Sequence, residues 1–119
     1  MPKFGVQEHH ATHLHWDFRL ERDGVLRSWA VPKGIPMKPG VRHLAVPVED
    51  HPLSYLKFDG EIKDGYGAGR VILWDVGTYT SPSWKERKIV VQLKGEKLSG
   101  KYVLVRIKDG NWIIFKGKE

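Results

Sequence analysis

No cysteine occurs among the 119 residues. That excludes a disulfide framework and any thiolate zinc site, and it suits a reducing compartment. No apolar run approaches the roughly 20 residues needed to cross a bilayer. The N-terminus lacks a signal-peptide core. The expectation is a cytoplasmic, intracellular protein with no membrane association. Long 3.6-residue periodicity is missing too, so only short helical turns are expected, at Pro52–Phe58 and Ser81–Arg87. Linkers, internal repeats and low-complexity segments are also lacking, and the length makes one domain, residues 1–119.

What is present favours a small β protein. Hydrophobic residues make up 40% of the chain, with five Trp, four Tyr and four Phe, enough for a compact core. The formal charge of +6 favours a polyanionic partner such as nucleic acid. Strand patterns recur, separated by turn signals. A strand from His13 is followed by the Asp23-Gly24 hairpin signal and a partner at Val25–Val31. Pro32, Gly34, Pro36, Pro39 and Gly40 make an irregular loop. His43–Asp50 reads as a strand with Leu44, Val46 and Val48 on one face, and Pro47 marks an edge or bulge. Gly60–Gly69 reads as a loop, Arg70–Asp75 as a strand and Asp75-Val76-Gly77 as a turn. Lys88–Leu93, Lys101–Lys108 and Asn111–Lys116 complete the set, with Asp109-Gly110 as a two-residue hairpin turn. This spacing predicts a mostly-β fold, a single compact barrel or sandwich.

The run from His9 to Glu21 holds four of the six histidines. From His13 it alternates strictly: His13, His15, Asp17, Arg19 and Glu21 share one parity, and Leu14, Trp16, Phe18 and Leu20 the other. Side chains two apart on a strand point the same way, so His13/His15 and His15/Asp17 are each geometrically feasible ligand pairs. His9 can add a third ligand from just before the strand. Imidazole and carboxylate suit Mn, Fe, Zn and related divalent ions, and two His with one carboxylate leave coordination positions open. A histidine-rich surface patch is the competing interpretation.

Arg19 follows Asp17 on the same face, and Arg42 and His43 precede another strand. Guanidinium groups beside a metal are suited to holding phosphoryl groups; alternatively Arg19 pairs with Glu21 or Glu8. In Glu49-Asp50-His51, a carboxylate beside an imidazole can fix its tautomer and raise its pKa, although on these residues alone a polar strand end capped by Pro52 is the favoured reading. Gly65-Tyr66-Gly67-Ala68-Gly69 is neither a Walker loop nor a dinucleotide fingerprint, and close packing at a barrel corner explains its glycines.

Together these segments resemble a known family. Val6-Gln7-Glu8-His9-His10-Ala11-Thr12-His13-Leu14-His15-Trp16-Asp17-Phe18-Arg19-Leu20-Glu21 is similar to the signature of the 3′-phosphoesterases, the end-healing module of bacterial ligase D in non-homologous end joining. The resemblance continues through Ser28–Gly34, Leu44–Leu53 and Tyr66–Gly69, and is closest over residues 4–75. No ligase or polymerase segment accompanies it, so the chain resembles the stand-alone form. The resemblance implies a β-barrel with an active site in a concave face, dependent on Mn²⁺ or another divalent ion such as Co²⁺ or Zn²⁺. It implies a DNA or RNA primer-template 3′ end as substrate, a separate DNA ligase as a candidate partner, and a monomer. Two activities follow from it. A 3′-terminal ribonucleoside is removed to leave a 3′-phosphate, and the 3′-phosphate is converted to a 3′-hydroxyl.

By motif position, the resemblance implies His9, His15 and Asp17 as metal ligands. It implies Arg19 and His51 as phosphate ligands, with Lys33, Glu49 and Tyr55 supporting the site. Two departures stand out. His43 occupies a position where the family commonly has Arg, so Arg42 or His43 is the candidate contact there. The loop Glu61–Gly67 is one residue shorter than usual and lacks its Pro. Two rivals come from other classes: a cupin-like small-molecule metalloenzyme, which is also a β-barrel with a His-x-His motif, and a non-catalytic nucleic-acid-binding barrel.

Overall fold

In a computed structural model, which describes residues 1–65 and 68–118, the chain forms a mostly-β barrel. Its strands are β1 (Lys3–His10), β2 (Leu14–Arg22), β3 (Val25–Val31), β4 (Arg42–Pro52), β5 (Gly60–Ile62), β6 (Gly69–Trp84), β7 (Lys88–Lys94), β8 (Ser99–Arg106) and β9 (Trp112–Lys116). Neighbours run in the order β1-β2-β3-β4-β9-β8-β7-β6-β5, and β1 also pairs with β6. That last pairing closes eight antiparallel strands into a ring and leaves β5 outside it, flanking β6. Among the described residues the single helical element is a 3₁₀ turn at Leu53–Tyr55, within the Pro52–Phe58 stretch.

The ring closes because β6 is long. Its first half pairs with β1, Arg70 to Thr78 against His10 to Lys3, and its second half with β7, from Thr78↔Lys94 to Trp84↔Ile89. Asp75-Val76-Gly77, expected as a turn, therefore lies inside a strand. The register shifts there, with Val6 opposite Asp75 and Gln7 opposite Leu73, so the Asp-Val-Gly signal marks a bulge that bends the strand. Gly77 is required by close approach: a Cβ there would lie 2.0 Å from the Lys94 carbonyl oxygen. Asp75 is 5% exposed and accepts from the backbone N–H groups of Val76, Glu96, Lys97 and Leu98 at 2.8–3.1 Å. Ser81–Trp84, expected within a helical turn, completes β6.

Other expectations shift less. Lys3–His10 is a strand that the sequence reading leaves out, since Glu8 interrupts its apolar alternation. Gly60–Ile62, expected in a loop, is β5, and Gly69 opens β6. The Asp23-Gly24 turn forms as expected, with φ of 54° and 81° at its two residues. The Asp109-Gly110 hairpin is longer than two residues: Ile107 N–H donates to Asn111 O at 2.8 Å, enclosing a three-residue loop with Gly110 at φ 87°. Tyr66 and Gly67 of the glycine-rich motif lie outside the described residues.

Phe4, Val6, Phe18, Leu20, Trp29, Val31 and Ala45 fill the barrel from β1–β4, and Ile89, Val91, Tyr102, Leu104 and Ile114 from the opposite wall. Each fully buried large side chain contributes roughly 1.5–3 kcal/mol. On β4 the inward residue is Ala45, so the parity of Leu44, Val46 and Val48 points outward, with Leu44 40% and Val48 39% exposed. β9 pairs with β4 only over Arg42–Ala45, so Pro47 sits where one edge is open. A register shift follows between Leu26↔His51 and Ser28↔Val48.

Candidate metal and phosphate site

The polar parity of β2 points out of the barrel. Cross-strand register extends that face in both directions: His9 pairs with His15, Gln7 with Asp17 and Gly5 with Arg19 on one side, and Ala30 with Asp17 and Ser28 with Arg19 on the other. Directly paired residues share a face. The outer wall here is nevertheless dry. Gln7, Asp17, Arg19 and Ser28 are buried, Arg19 to 3% exposure. The residues around the 3₁₀ turn cover them. Gln7 Nε2 donates to the carbonyls of Tyr55 and Phe58 at 3.0 and 3.1 Å, holding that segment against the wall. Gly5 leaves room for it, since a Cβ there would sit 2.9 Å from Leu56 Cδ1.

His9, His15 and Asp17 bring one ligand atom each to within 4.8 Å of one another. His9 Nδ1 lies 3.3 Å from Asp17 Oδ2, His15 Nε2 lies 3.3 Å from Asp17 Oδ1, and the two imidazoles are 4.7 Å apart at their centres. His15 Nδ1 faces the His13 carbonyl at 3.1 Å, which orients the ring with Nε2 toward the cluster. His13 itself is exposed between the strands and gives the cluster only that carbonyl. Of the ligand pairs left open by spacing, His15/Asp17 is the one brought together, with His9 as the third member. Two imidazoles and a carboxylate are a donor set for a divalent ion of the Mn, Fe, Co or Zn kind.

The charges are mutually adjusted. Burial alone would push the Asp17 carboxyl up, but its hydrogen bond with His15 and the charges of Arg19 and both histidines hold it below the usual carboxylate range. The same hydrogen bond raises the His15 imidazole, against the effect of burial. Burial, countered by Asp17, lowers the Arg19 guanidinium.

Arg19 is fixed on three sides. Its Nε donates to Gln7 Oε1 at 2.6 Å, and its NH1 to Ser28 Oγ at 2.7 Å and His51 Nδ1 at 3.1 Å. Ser28 Oγ in turn donates to Leu26 O at 3.0 Å. NH2 takes no part in these hydrogen bonds and lies 3.6 Å from Asp17 Oδ2, next to the metal-type cluster. The alternative partners of Arg19 are engaged elsewhere: Glu21 accepts from the Lys3 backbone N–H, and Glu8 pairs with His10. The guanidinium also lies over the Tyr55 ring at 5.1 Å. Tyr55 stacks on Phe58 at 4.9 Å and faces His51 at 5.0 Å. Burial raises the Tyr55 phenol, partly offset by Arg19.

His51 departs from the expected role of Glu49. The exposed Glu49 reaches the ring through its backbone carbonyl, 3.1 Å from Nδ1. The imidazole is pushed below its usual range, by burial first and by the Arg19 charge second. Nδ1 thus faces two opposite partners at 3.1 Å: as an acceptor from Arg19 it leaves the ring proton on Nε2, and as a donor to the Glu49 carbonyl it carries the proton itself.

Lys33, Arg42 and His43 make no contact with this group. Lys33 is exposed in the turn after β3. Arg42 lies over the Phe115 ring at 5.1 Å. His43 has the inward parity of Ala45, and its Nδ1 is 2.6 Å from the Gly34 carbonyl. Gln7 and Ser28 are the members of the site that sequence reasoning missed. Gln7 had a usable signal, two residues before His9 on what proves to be the same strand face.

Comparison with known proteins places these residues in context. The model of the DNA Ligase D 3′-phosphoesterase domain matches residues 7–106. The chain is 49% identical over 120 residues to the multifunctional non-homologous end joining protein LigD of Mycobacterium bovis, an alignment covering 97% of this chain and 16% of that protein. It is 47% identical over 127 residues to the LigD protein of Pseudomonas aeruginosa, with 98% of this chain and 15% of that protein covered. The Mycolicibacterium smegmatis protein is 46% identical over 129 residues, covering 98% of this chain and 17% of that protein. The chain thus spans about one-sixth of the length of these relatives.

Proposed function

The chain belongs to the DNA ligase D 3′-phosphoesterase family, and from that membership we propose that it heals 3′ ends of DNA or RNA primer strands in end-joining repair. It removes a terminal ribonucleoside to leave a 3′-phosphate, and it hydrolyses the 3′-phosphate to a 3′-hydroxyl. The observation that carries this reading is the juxtaposition at Asp17: a metal-type donor set on one side and a buried, oriented guanidinium 3.6 Å away on the other. Phosphate chemistry calls for both.

His9, His15 and Asp17 would hold Mn²⁺ or a related divalent ion. Bound there, the ion supplies Lewis-acid stabilisation of phosphate charge. Arg19 offers NH2 to a phosphate oxygen while Gln7 and Ser28 keep the guanidinium from turning away. Its rotamer freedom is already lost in the free protein, so binding an anion costs less entropy. With Nδ1 accepting from Arg19, His51 offers Nε2–H, either to a second phosphate oxygen or to the leaving oxygen. Tyr55, half-buried beside Arg19, has its phenol free of any expected ionisation near neutral pH and serves as a further donor. Lys33, Arg42 and Glu49 would contact the substrate strand outside this cluster. His43 faces inward to Gly34 and is left out of that role.

The test is a labelled primer-template with one 3′-terminal ribonucleotide, incubated with Mn²⁺ or with EDTA, beside the same duplex ending in a 3′-phosphate. Metal-dependent shortening to a 3′-phosphate and then a 3′-hydroxyl is the expected result. Failure to alter either end with Mn²⁺, Co²⁺ or Zn²⁺ overturns the proposal.

A further inference from the structure

The two flanks of the site differ. On the β1 side the wall passes into β6, which β5 flanks, and the residues around the 3₁₀ turn lie over Gln7 of β1. On the β3 side it stays open. The register there runs in two rows, Asp17–Ala30–Val46 and Arg19–Ser28–Val48. Cross-strand partners share a face, so Ala30, Val46 and Val48 continue the surface that carries Asp17 and Arg19. Leu44 extends it on the same parity of β4. The four are apolar and uncharged, and Val48 and Leu44 are about two-fifths exposed, at 39% and 40%. Strands are about 4.8 Å apart, so β4 lies roughly 10 Å from the Asp17–Arg19 pair. That is about the reach of one nucleoside from its phosphate.

Between Arg19 and Arg42, which ends the β4 row, this stretch carries no cation, so it gives a nucleic-acid backbone no Lys or Arg at successive phosphates. It suits the one part of the strand that carries no further phosphate, the nucleoside beyond the scissile linkage. We infer that Ala30, Val46 and Val48 seat the base and sugar of the 3′-terminal nucleoside while Arg19 and its neighbours hold the phosphate. The strip offers no hydrogen-bonding side chains, so it accepts any of the four bases. This inference rests on the end-healing reading above.

The experiment pairs a change in the protein with a change in the substrate. The Val46→Ser/Val48→Ser double variant alters two outward side chains and leaves the barrel interior untouched; its melting curve serves as the folding control. Its KM is measured on duplexes ending in an ordinary ribonucleoside, in an abasic ribose, and in a 3′-phosphate. The expected result is a rise of roughly tenfold for the base-bearing end and little change for the other two. An equal rise for base-bearing and abasic ends, or no rise for either, overturns the seat. An equal rise for the 3′-phosphate end assigns the strip to the upstream nucleotide and overturns it too. A wild-type chain that processes none of the three ends removes the end-healing reading itself, and the seat with it.

Discussion

The Nε–H of Arg19 donates to Gln7 Oε1 at 2.6 Å on a wall where both residues are shut away from solvent. The amide's other end donates to the carbonyls of Tyr55 and Phe58. One neutral side chain thus fixes the phosphate-type guanidinium and the segment that carries Tyr55.

Gln7→Leu keeps the bulk and removes these hydrogen bonds. It leaves the Arg19 Nε–H and the Phe58 carbonyl without this partner, while the Tyr55 carbonyl keeps the Phe58 N–H, at about 1–3 kcal/mol for each buried unsatisfied group. Urea unfolding should show a loss of at least about 2 kcal/mol. In the folded variant, kcat/KM should fall while Mn²⁺ affinity changes little. Wild-type stability and wild-type turnover together would show that Gln7 positions nothing.

Asp17→Asn keeps the shape and removes the charge that both histidines and Arg19 face. Mn²⁺ affinity measured by calorimetry should drop by more than the roughly 10–100-fold typical of losing an outer hydrogen-bond partner. Near-wild-type affinity in a folded Asp17→Asn protein would exclude this carboxylate as a ligand.

His51 carries the pH signature. Its imidazole is depressed in the fold, chiefly by burial and then by Arg19. Between the folded value and 6.5 the unfolded chain binds more protons at this residue. Its contribution to stability is therefore present above pH 6.5 and is lost as pH falls through the folded pKa. An NMR titration of the metal-free protein should place the His51 midpoint below 6.5, and Arg19→Ala should move it back toward that value. A midpoint above 6.5 in the wild type would contradict burial and the Arg19 charge as the dominant influences on this ring.

Asp75 separates fold from site. Asp75→Ala strands the backbone N–H groups of Glu96, Lys97 and Leu98, which it now satisfies. A loss of about 3 kcal/mol or more is expected in urea unfolding. Below its melting temperature the variant should bind Mn²⁺ like the wild type. Loss of metal binding in the folded variant would tie Asp75 to the site.

Much of this was legible in the sequence. Period-two alternation from His13 and the Asp23-Gly24 turn are local signals, and local signals survive folding. His15, Asp17 and Arg19 share a strand face at any register. Bringing His9 to that cluster requires the β1–β2 pairing; spacing offered His9 as a third ligand, and the family resemblance preferred it over His13. The Asp75-Val76-Gly77 misreading has a definite cause. Asp and Gly mark tight turns, but here a carboxylate caps a neighbouring loop and a glycine admits the Lys94 carbonyl. On β4, valine and leucine alternation marked a strand correctly but could not say which side faces the core. Ala45 is the inward residue, and the larger side chains are left outside, beside the site.

The most direct measurement follows turnover of a 3′-ribonucleotide end against bound Mn²⁺ in the same samples of protein. Turnover should rise in proportion to occupancy of one ion per chain and vanish in EDTA. Undiminished turnover in protein stripped of divalent ions would contradict a metal-assisted site at His9, His15 and Asp17.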